Sequence, residues 1–233
     1  MIKDVLRYID RVTFTRHLEI YSHSVADALR GEYASLLDVG CGSNSPMRAA
    51  FAHIPFTVGV DAHEESIRRS RMAGIHTDYG CMDILDIADH FGPASFDVVA
   101  ALDVVEHLER DDGDRLLDAL ETVARRLVVV FTPNGFLAQP ALEGNPWQVH
   151  KSGWHVADFE ARGYEVLGMN GWKPLRGDRW EPRIRPAALG HRLSALTQPL
   201  VTHRPRFAFQ LLALRDQAAA GPPARPGAPP RAG

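Results

Sequence analysis

The chain has 233 residues, of which 45% are hydrophobic and 24% are charged, and its formal net charge is −3. This composition is typical of a globular protein with one sizeable α/β domain, and so small a net charge identifies no partner. Cys41 and Cys81 are too few for a disulfide framework, and no apolar stretch approaches the ~20 residues of a membrane span. Because the N-terminus lacks a signal-peptide pattern, the expected location is cytoplasmic.

Apolar periodicity predicts a helix over residues 1–30, which we expect to form an N-terminal cap. Beyond Gly31, apolar runs alternate with helical patterns, and this rhythm predicts a mostly parallel sheet covered by helices. The predicted strands span residues 36–39, 57–60, 75–79, 96–102, 127–131, 164–168 and 207–214. The predicted helices among them span residues 63–73, 114–126, 156–162 and 187–201.

Two segments depart from this rhythm. The basic insertion, residues 171–206, carries eight lysines and arginines against two acidic residues, and residues 215–233 form a Pro/Ala/Gly-rich tail that we expect to be disordered. The helix predicted in the insertion has leucines on one side, at Leu189, Leu193, Leu196 and Leu200. These features are compatible with a phosphate-bearing acceptor or with contact with an anionic membrane. The alternative is a lid helix that packs its leucines on the core.

A glycine turn follows the first predicted strand, which ends with Asp38 and continues through Gly40 and Gly42. Because glycine has no Cβ, backbone N–H groups of such a turn can approach a ligand closely. Asp61 ends the second predicted strand, and a carboxylate about 20 residues past a glycine turn accepts hydrogen bonds from ribose hydroxyls. The spacing predicts a doubly wound α/β domain that binds an adenosine-containing cofactor.

The same turn disfavours a nicotinamide-dependent dehydrogenase. A dinucleotide-binding loop would have its third glycine at position 45, where this chain has Ser45. The chain also lacks the Gly-Lys-Ser/Thr sequence of a phosphate-binding loop. A pyrophosphate ligand is therefore not expected.

The acidic-x-Gly-x-Gly pattern of residues 38–42 resembles the first motif of the class I S-adenosylmethionine-dependent methyltransferases. Residues 96–108 and 129–134 resemble the fourth- and fifth-strand motifs of that family, and Asn44 stands where the family has a third glycine. The resemblance implies a methyltransferase domain over residues 31–214, with a doubly wound seven-stranded sheet whose last strand is antiparallel. It also implies cofactor contacts from Asp38, Gly40, Gly42, Asp61, Met82, Asp83 and Asp103.

Methyl transfer requires little chemistry from the protein, because a sulfonium methyl group is already activated. The enzyme aligns a nucleophile with that methyl group and accepts a proton where the acceptor is a hydroxyl. His107 and His150 are the candidate general bases, since histidine titrates near neutral pH. We expect O-methylation of a small molecule or a glycan.

Two alternatives remain open. Asp103, Glu106, His107 and His150 resemble the residues with which small-RNA 3′-terminal 2′-O-methyltransferases hold Mg²⁺ against ribose hydroxyls. Here Asp103 replaces a longer glutamate, and no RNA-binding module is evident, so the first expectation is a site without a metal and without nucleic acid. The second alternative is a non-catalytic scaffold that binds the cofactor.

Overall fold

The computed structural model describes residues 32–43, 45, 50, 52–141, 145–177 and 181–217. The predicted N-terminal helix over residues 1–30 lies outside the described residues. So do Asn44 and the tail from residue 218 onward. Within the part of the chain that is described, every helix is too short or too polar to cross a bilayer.

The described residues form one seven-stranded sheet in the order β3-β2-β1-β4-β5-β7-β6. The strands are β1 (Ser35–Val39), β2 (Phe56–Asp61), β3 (Asp78–Cys81), β4 (Phe96–Leu102), β5 (Ala124–Pro133), β6 (Glu165–Trp172) and β7 (Ala208–Asp216). The first five strands pair in parallel, whereas β7 runs antiparallel to both of its neighbours, β5 and β6. This arrangement confirms the predicted doubly wound fold with an antiparallel last strand.

Helices cover both faces of the sheet. Those in the described residues are α1 (Glu64–Ala73), α2 (Ile87–Phe91), α3 (Arg110–Val123), α4 (Val156–Glu160) and α5 (Ala187–Thr202). Successive strand residues point to opposite faces, so Leu37 and Val99 belong to one apolar cluster while Leu36 and Val98 belong to the other. Burial on both faces explains why the central strands read as unbroken apolar runs.

Several predicted boundaries were wrong. The third strand begins at Asp78 rather than at residue 75, and α3 ends at Val123 rather than at residue 126. Arg125 instead belongs to β5, where its guanidinium pairs with Asp97 at 2.8 Å. The last strand continues to Asp216, so the domain extends into the segment assigned to the tail.

The way in which α5 packs contradicts the lid-helix interpretation. Its buried positions are Gly190, His191, Ser194 and Val201, whereas Leu189, Leu196 and Leu200 are exposed. The helix backbone lies so close to β6 that a Cβ on Gly171 would come within 3.0 Å of the Ser194 carbonyl oxygen. Gly190, His191, Ser194 and Val201 therefore form the packed side of α5, Leu193 is half-buried, and the other three leucines face outward.

We predict that the Gly171→Ala substitution destabilises the protein far more than Gly163→Ala. Both glycines have left-handed backbone, with φ values of 77° and 80°, so alanine costs about 1 kcal/mol at either site. A Cβ on Gly163 meets open space, whereas one on Gly171 overlaps α5, which adds about 2 kcal/mol. Urea unfolding of the two variants measures the difference, and equal losses would contradict the close packing of α5.

Candidate active site

The glycine turn after β1 folds back over the end of β2. The backbone N–H groups of Gly40 and Cys41 both donate to the carbonyl oxygen of Val60, at 2.8 and 3.0 Å. Gly40 has a φ of 71°, and a Cβ there would lie 2.6 Å from a Val104 methyl carbon. Position 40 thus requires glycine for its backbone conformation and for space.

Asp61 links this turn to the end of β2. Its carboxylate accepts hydrogen bonds from the backbone N–H groups of Gly42, at 2.9 Å, and His63, at 2.8 Å. Burial raises the pKa of Asp61 above its ordinary value. An ionised carboxylate has about four lone-pair sites, so two backbone donors leave capacity for ligand hydroxyls.

Asp38 lies beneath the turn, away from the residues that line the adjoining pocket. Its carboxylate contacts Nε2 of His76 at 2.9 Å, and both side chains are buried. A Cβ on Gly59 would lie 2.7 Å from the His76 ring, so glycine in β2 makes room for this contact. Sequence reasoning missed His76, because it belongs to no motif and lies far from Asp38 along the chain.

A pocket opens at the carboxyl ends of β1, β2 and β4. Five residues with predicted roles line it: Gly40, Asp61, Asp83, Asp103 and His107. The other lining residues, to which the sequence assigned no individual role, are Ala62, Ile84, Val104, Leu108, Asn145, Trp147 and Gln148. The described lining contains three carboxylates and neither lysine nor arginine. This charge suits a cationic ligand and disfavours a pyrophosphate.

Met82 and Gly42 are two further predicted cofactor residues, and they support the pocket without lining it. The backbone N–H of Met82 donates to the Asp61 carbonyl oxygen at 3.1 Å, and its side chain packs against the apolar core. Gly42 contacts the Asp61 carboxylate. Asp83 has two roles, because it faces the pocket and also caps a short 3-10 helix by accepting from Leu85 N–H at 3.0 Å.

Two acidic side chains lie close together after β4. Asp103 has a φ of 55°, which is unusual for a residue with a Cβ, and burial raises the pKa of its carboxyl to about 7. Glu106 is buried and accepts a hydrogen bond from the Thr132 hydroxyl at 2.9 Å. Burial and the neighbouring Asp103 charge raise the pKa of Glu106 well above its ordinary value.

The rings of His107 and His150 pack edge to face, with centroids 4.7 Å apart and an interplanar angle of 72°. Nδ1 of His107 lies 3.3 Å from the Val149 carbonyl oxygen, and Nδ1 of His150 lies 2.6 Å from that of Leu137. Because a carbonyl oxygen can only accept, we assign the ring proton to Nδ1 in both residues. The His107 ring also has the backbone of Asp103 as a hydrogen-bond neighbour. Burial and the neighbouring His150 lower the pKa of His107 to about 4, and burial lowers that of His150.

Hydrogen bonds to backbone carbonyl oxygens hold the segment around His150 against the Glu106 turn. The N–H groups of Lys151 and Ser152 donate to the Glu106 carbonyl oxygen at 2.8 and 3.1 Å, and Trp154 Nε1 donates to Val105 at 3.2 Å. These contacts explain how two histidines from distant parts of the chain meet.

The structure brings together three of the four residues considered for a metal. Ligand atoms of Glu106, His107 and His150 lie within 4.8 Å of one another, and Asp103 is not part of that group. Oε1 of Glu106 has no hydrogen-bond partner within the described structure. A carboxylate with two imidazole nitrogens is a donor set that suits Mn²⁺ better than Mg²⁺, which prefers oxygen.

Comparison with known proteins shows that the chain is similar to methyltransferases. A family model described as "Methyltransferase domain" matches residues 37–138. The ubiquinone biosynthesis O-methyltransferase of Idiomarina loihiensis is 38% identical over 86 residues, which are 35% of this chain and 34% of that protein. The similarity thus spans about a third of the length of this curated relative.

Solved structures share the fold. An S-adenosylmethionine-dependent methyltransferase from Archaeoglobus fulgidus has a TM-score of 0.55 and 16% identity, with 85% of this chain and 94% of that chain covered. The magnesium protoporphyrin IX methyltransferase of Synechocystis PCC 6803, solved with bound S-adenosylmethionine, has a TM-score of 0.51 and 14% identity, with 90% and 83% covered. At these identities the likeness concerns the fold alone.

We predict that Asp61→Asn weakens binding of S-adenosylhomocysteine at least tenfold. The amide keeps the side-chain shape but loses the charge, and a hydrogen bond to a charged group contributes about 1.5–3 kcal/mol. Isothermal titration calorimetry measures the change, with Asp89→Asn on the exposed side of α2 as a control that removes a carboxylate elsewhere. An unaltered dissociation constant for Asp61→Asn would contradict its role.

Proposed function

Residues 37–138 belong to the class I S-adenosylmethionine-dependent methyltransferases, and from this premise we propose that the chain transfers a methyl group to a hydroxyl of a small molecule. One observation carries the proposal. The pocket that contains the carboxylates of Asp61 and Asp83 also contains His107, an imidazole whose lowered pKa leaves it uncharged at neutral pH. A cofactor site and a proton acceptor therefore adjoin.

The donor set of the pocket fits S-adenosylmethionine, which carries positive charge on its sulfur and its ammonium group and has no phosphate. Asp61 would hold the ribose hydroxyls, Asp83 the adenine amino group, and the turn through Gly40 would face the amino-acid portion. When bound, the cofactor supplies an activated methyl group. Carboxylates without opposing lysines or arginines in the described lining favour such a cation.

His107 is the better candidate for the general base. Its ring lines the pocket, whereas His150 lies behind it and donates to Leu137 at 2.6 Å, which anchors the segment before residue 150. With its proton on Nδ1, His107 can accept the hydroxyl proton at Nε2. Contact with His150 and with the Val149 carbonyl holds the ring in place.

A hydroxyl acceptor follows from the presence of this base. An alcohol or phenol must lose its proton as the new bond to carbon forms, and a positioned imidazole accelerates that loss. The O-methyltransferase activity named for the Idiomarina loihiensis relative supports the same class of acceptor. The sequence adds glycans and phosphate-bearing molecules as acceptors to be screened, because of the basic insertion.

We predict that His107→Gln lowers turnover roughly 100-fold and leaves the dissociation constant of S-adenosylhomocysteine within about twofold, as expected for loss of a general base. His90→Gln, at an exposed position on α2, is the matched control. Because the pKa of His107 is about 4, wild-type turnover should stay level as the pH falls from about 8 to about 5. A decline centred near the pKa of Asp103, about 7, would transfer the role to that carboxyl.

A second candidate is metal-assisted transfer to the terminal ribose of an RNA. The convergence of Glu106, His107 and His150 favours it. The two interpretations are mutually exclusive at His107, since one lone pair cannot bind a cation and accept a proton.

Chelation distinguishes these candidates. For the proposed function, we predict that dialysis against EDTA leaves turnover of the purified protein unchanged, because no step needs a cation. Loss of turnover that Mn²⁺ or Mg²⁺ restores, together with methylation of an RNA 3′ end, would establish the second candidate instead.

A further inference from the structure

The outward side of α5 exposes large apolar residues together. Leu189, Leu196 and Leu200 are 46%, 73% and 63% exposed, and Trp172 and Phe207 beside the helix are also exposed. We name these five residues the α5 apolar surface. Scattered exposed leucines are ordinary, but adjoining ones on one side of a helix indicate an interaction site.

The α5 apolar surface has no place in the core, because the opposite side of the helix already packs there. Ser194 and Val201 lie against Gly171 and Gly168 of β6 at backbone distance. Between α5 and the turn that precedes β7 lies a groove of about 290 Å³. Its lining consists of Trp172, Thr197, Leu200, Val201, Arg204 and Phe207.

The segment of the chain that carries most of this surface is basic. Between Glu181 and Asp216 the chain contains no acidic residue. Arginines in that interval are exposed at Arg183, Arg185, Arg192, Arg204 and Arg206. Of these, Arg204 lines the groove and Arg206 lies over the Phe207 ring, 4.6 Å from its centroid. Exposed apolar side chains and arginines therefore occur together, and they suit a partner with an apolar interior and an anionic surface.

We propose that the α5 apolar surface docks on an anionic lipid bilayer. The leucines and aromatic rings would enter the boundary between headgroups and acyl chains, while the arginines would contact lipid phosphates. Trp172 and Phe207 suit that boundary, where aromatic side chains are enriched. This binding is reversible contact by one face of a folded domain.

The surface is also next to the catalytic edge of the sheet. The Asn134 amide, directly after β5, donates to the carbonyl oxygens of Pro205, at 3.1 Å, and Arg206, at 3.2 Å. In the same strand, Thr132 holds Glu106. Docking would therefore bring the acceptor side of the pocket near the bilayer, where an acceptor with an apolar chain resides. The proposal does not depend on methyl transfer, since vesicle binding is measured without cofactor.

Vesicle flotation of the full chain tests this proposal. We predict binding to phosphatidylcholine vesicles that contain about 30% phosphatidylglycerol and much weaker binding to phosphatidylcholine alone, because the arginines need anionic headgroups. Leu196→Glu should lower the partition coefficient about tenfold, since it places a charge in the apolar contact. Met72→Glu is the matched control, because Met72 is a 76% exposed apolar residue on α1.

Equal partitioning of wild type and Leu196→Glu would overturn the proposal, as would the absence of wild-type binding to anionic vesicles. Sedimentation velocity tests the alternative that the surface binds a second copy of the chain. A dimer that forms without lipid and is lost in Leu196→Glu, with no vesicle binding, would assign the surface to a second copy of the chain and refute lipid docking. Equal thermal unfolding temperatures of the variants confirm that both are folded.

Discussion

Burial of the turn around Glu106 is the constraint on which the arrangement of His107 and His150 depends. Its backbone carbonyl accepts from Lys151 and Ser152, and its carboxyl accepts from Thr132, so one residue joins β4, β5 and the segment that carries His150. The same desolvation acts with opposite sign on acids and bases. It raises the pKa of Glu106 and lowers that of His107, and both effects favour uncharged side chains beside the pocket.

Carboxylates and uncharged imidazoles therefore occupy different parts of the site along the sheet edge. Asp61 at the end of β2 and Asp83 after β3 line the part of the pocket proposed for the cationic cofactor. The paired imidazoles of His107 and His150 lie on the side proposed for the acceptor. The buried contact between Asp38 and His76 supports the glycine turn from below. Because Asp38 is satisfied there, the turn is held by side chains that need not touch a ligand, and a change at His76 would act on cofactor binding through the position of the backbone.

Local patterns predicted the parts that depend on local chemistry. The β4 bounds, the glycine turn and Asp61 follow from apolar runs, glycine conformation and spacing. What the sequence could not show depends on contacts between distant residues. His76 has no motif, and α3 ends early because β5 begins at Ala124, which pairs with Phe96 on the neighbouring strand.

The error at α5 has a physical reason that connects it with the surface. Amphipathic periodicity assumes that the apolar side of a helix is the packed side, but Gly168 and Gly171 let the helix backbone approach β6 closely at Val201 and Ser194. With that side of α5 packed on β6, Leu189, Leu196 and Leu200 face outward. Burying a leucine contributes about 1.5–3 kcal/mol, so the fold leaves that free energy unused at each exposed leucine. Binding of a partner that covers these leucines would gain this free energy, and the neighbouring arginines favour an anionic partner.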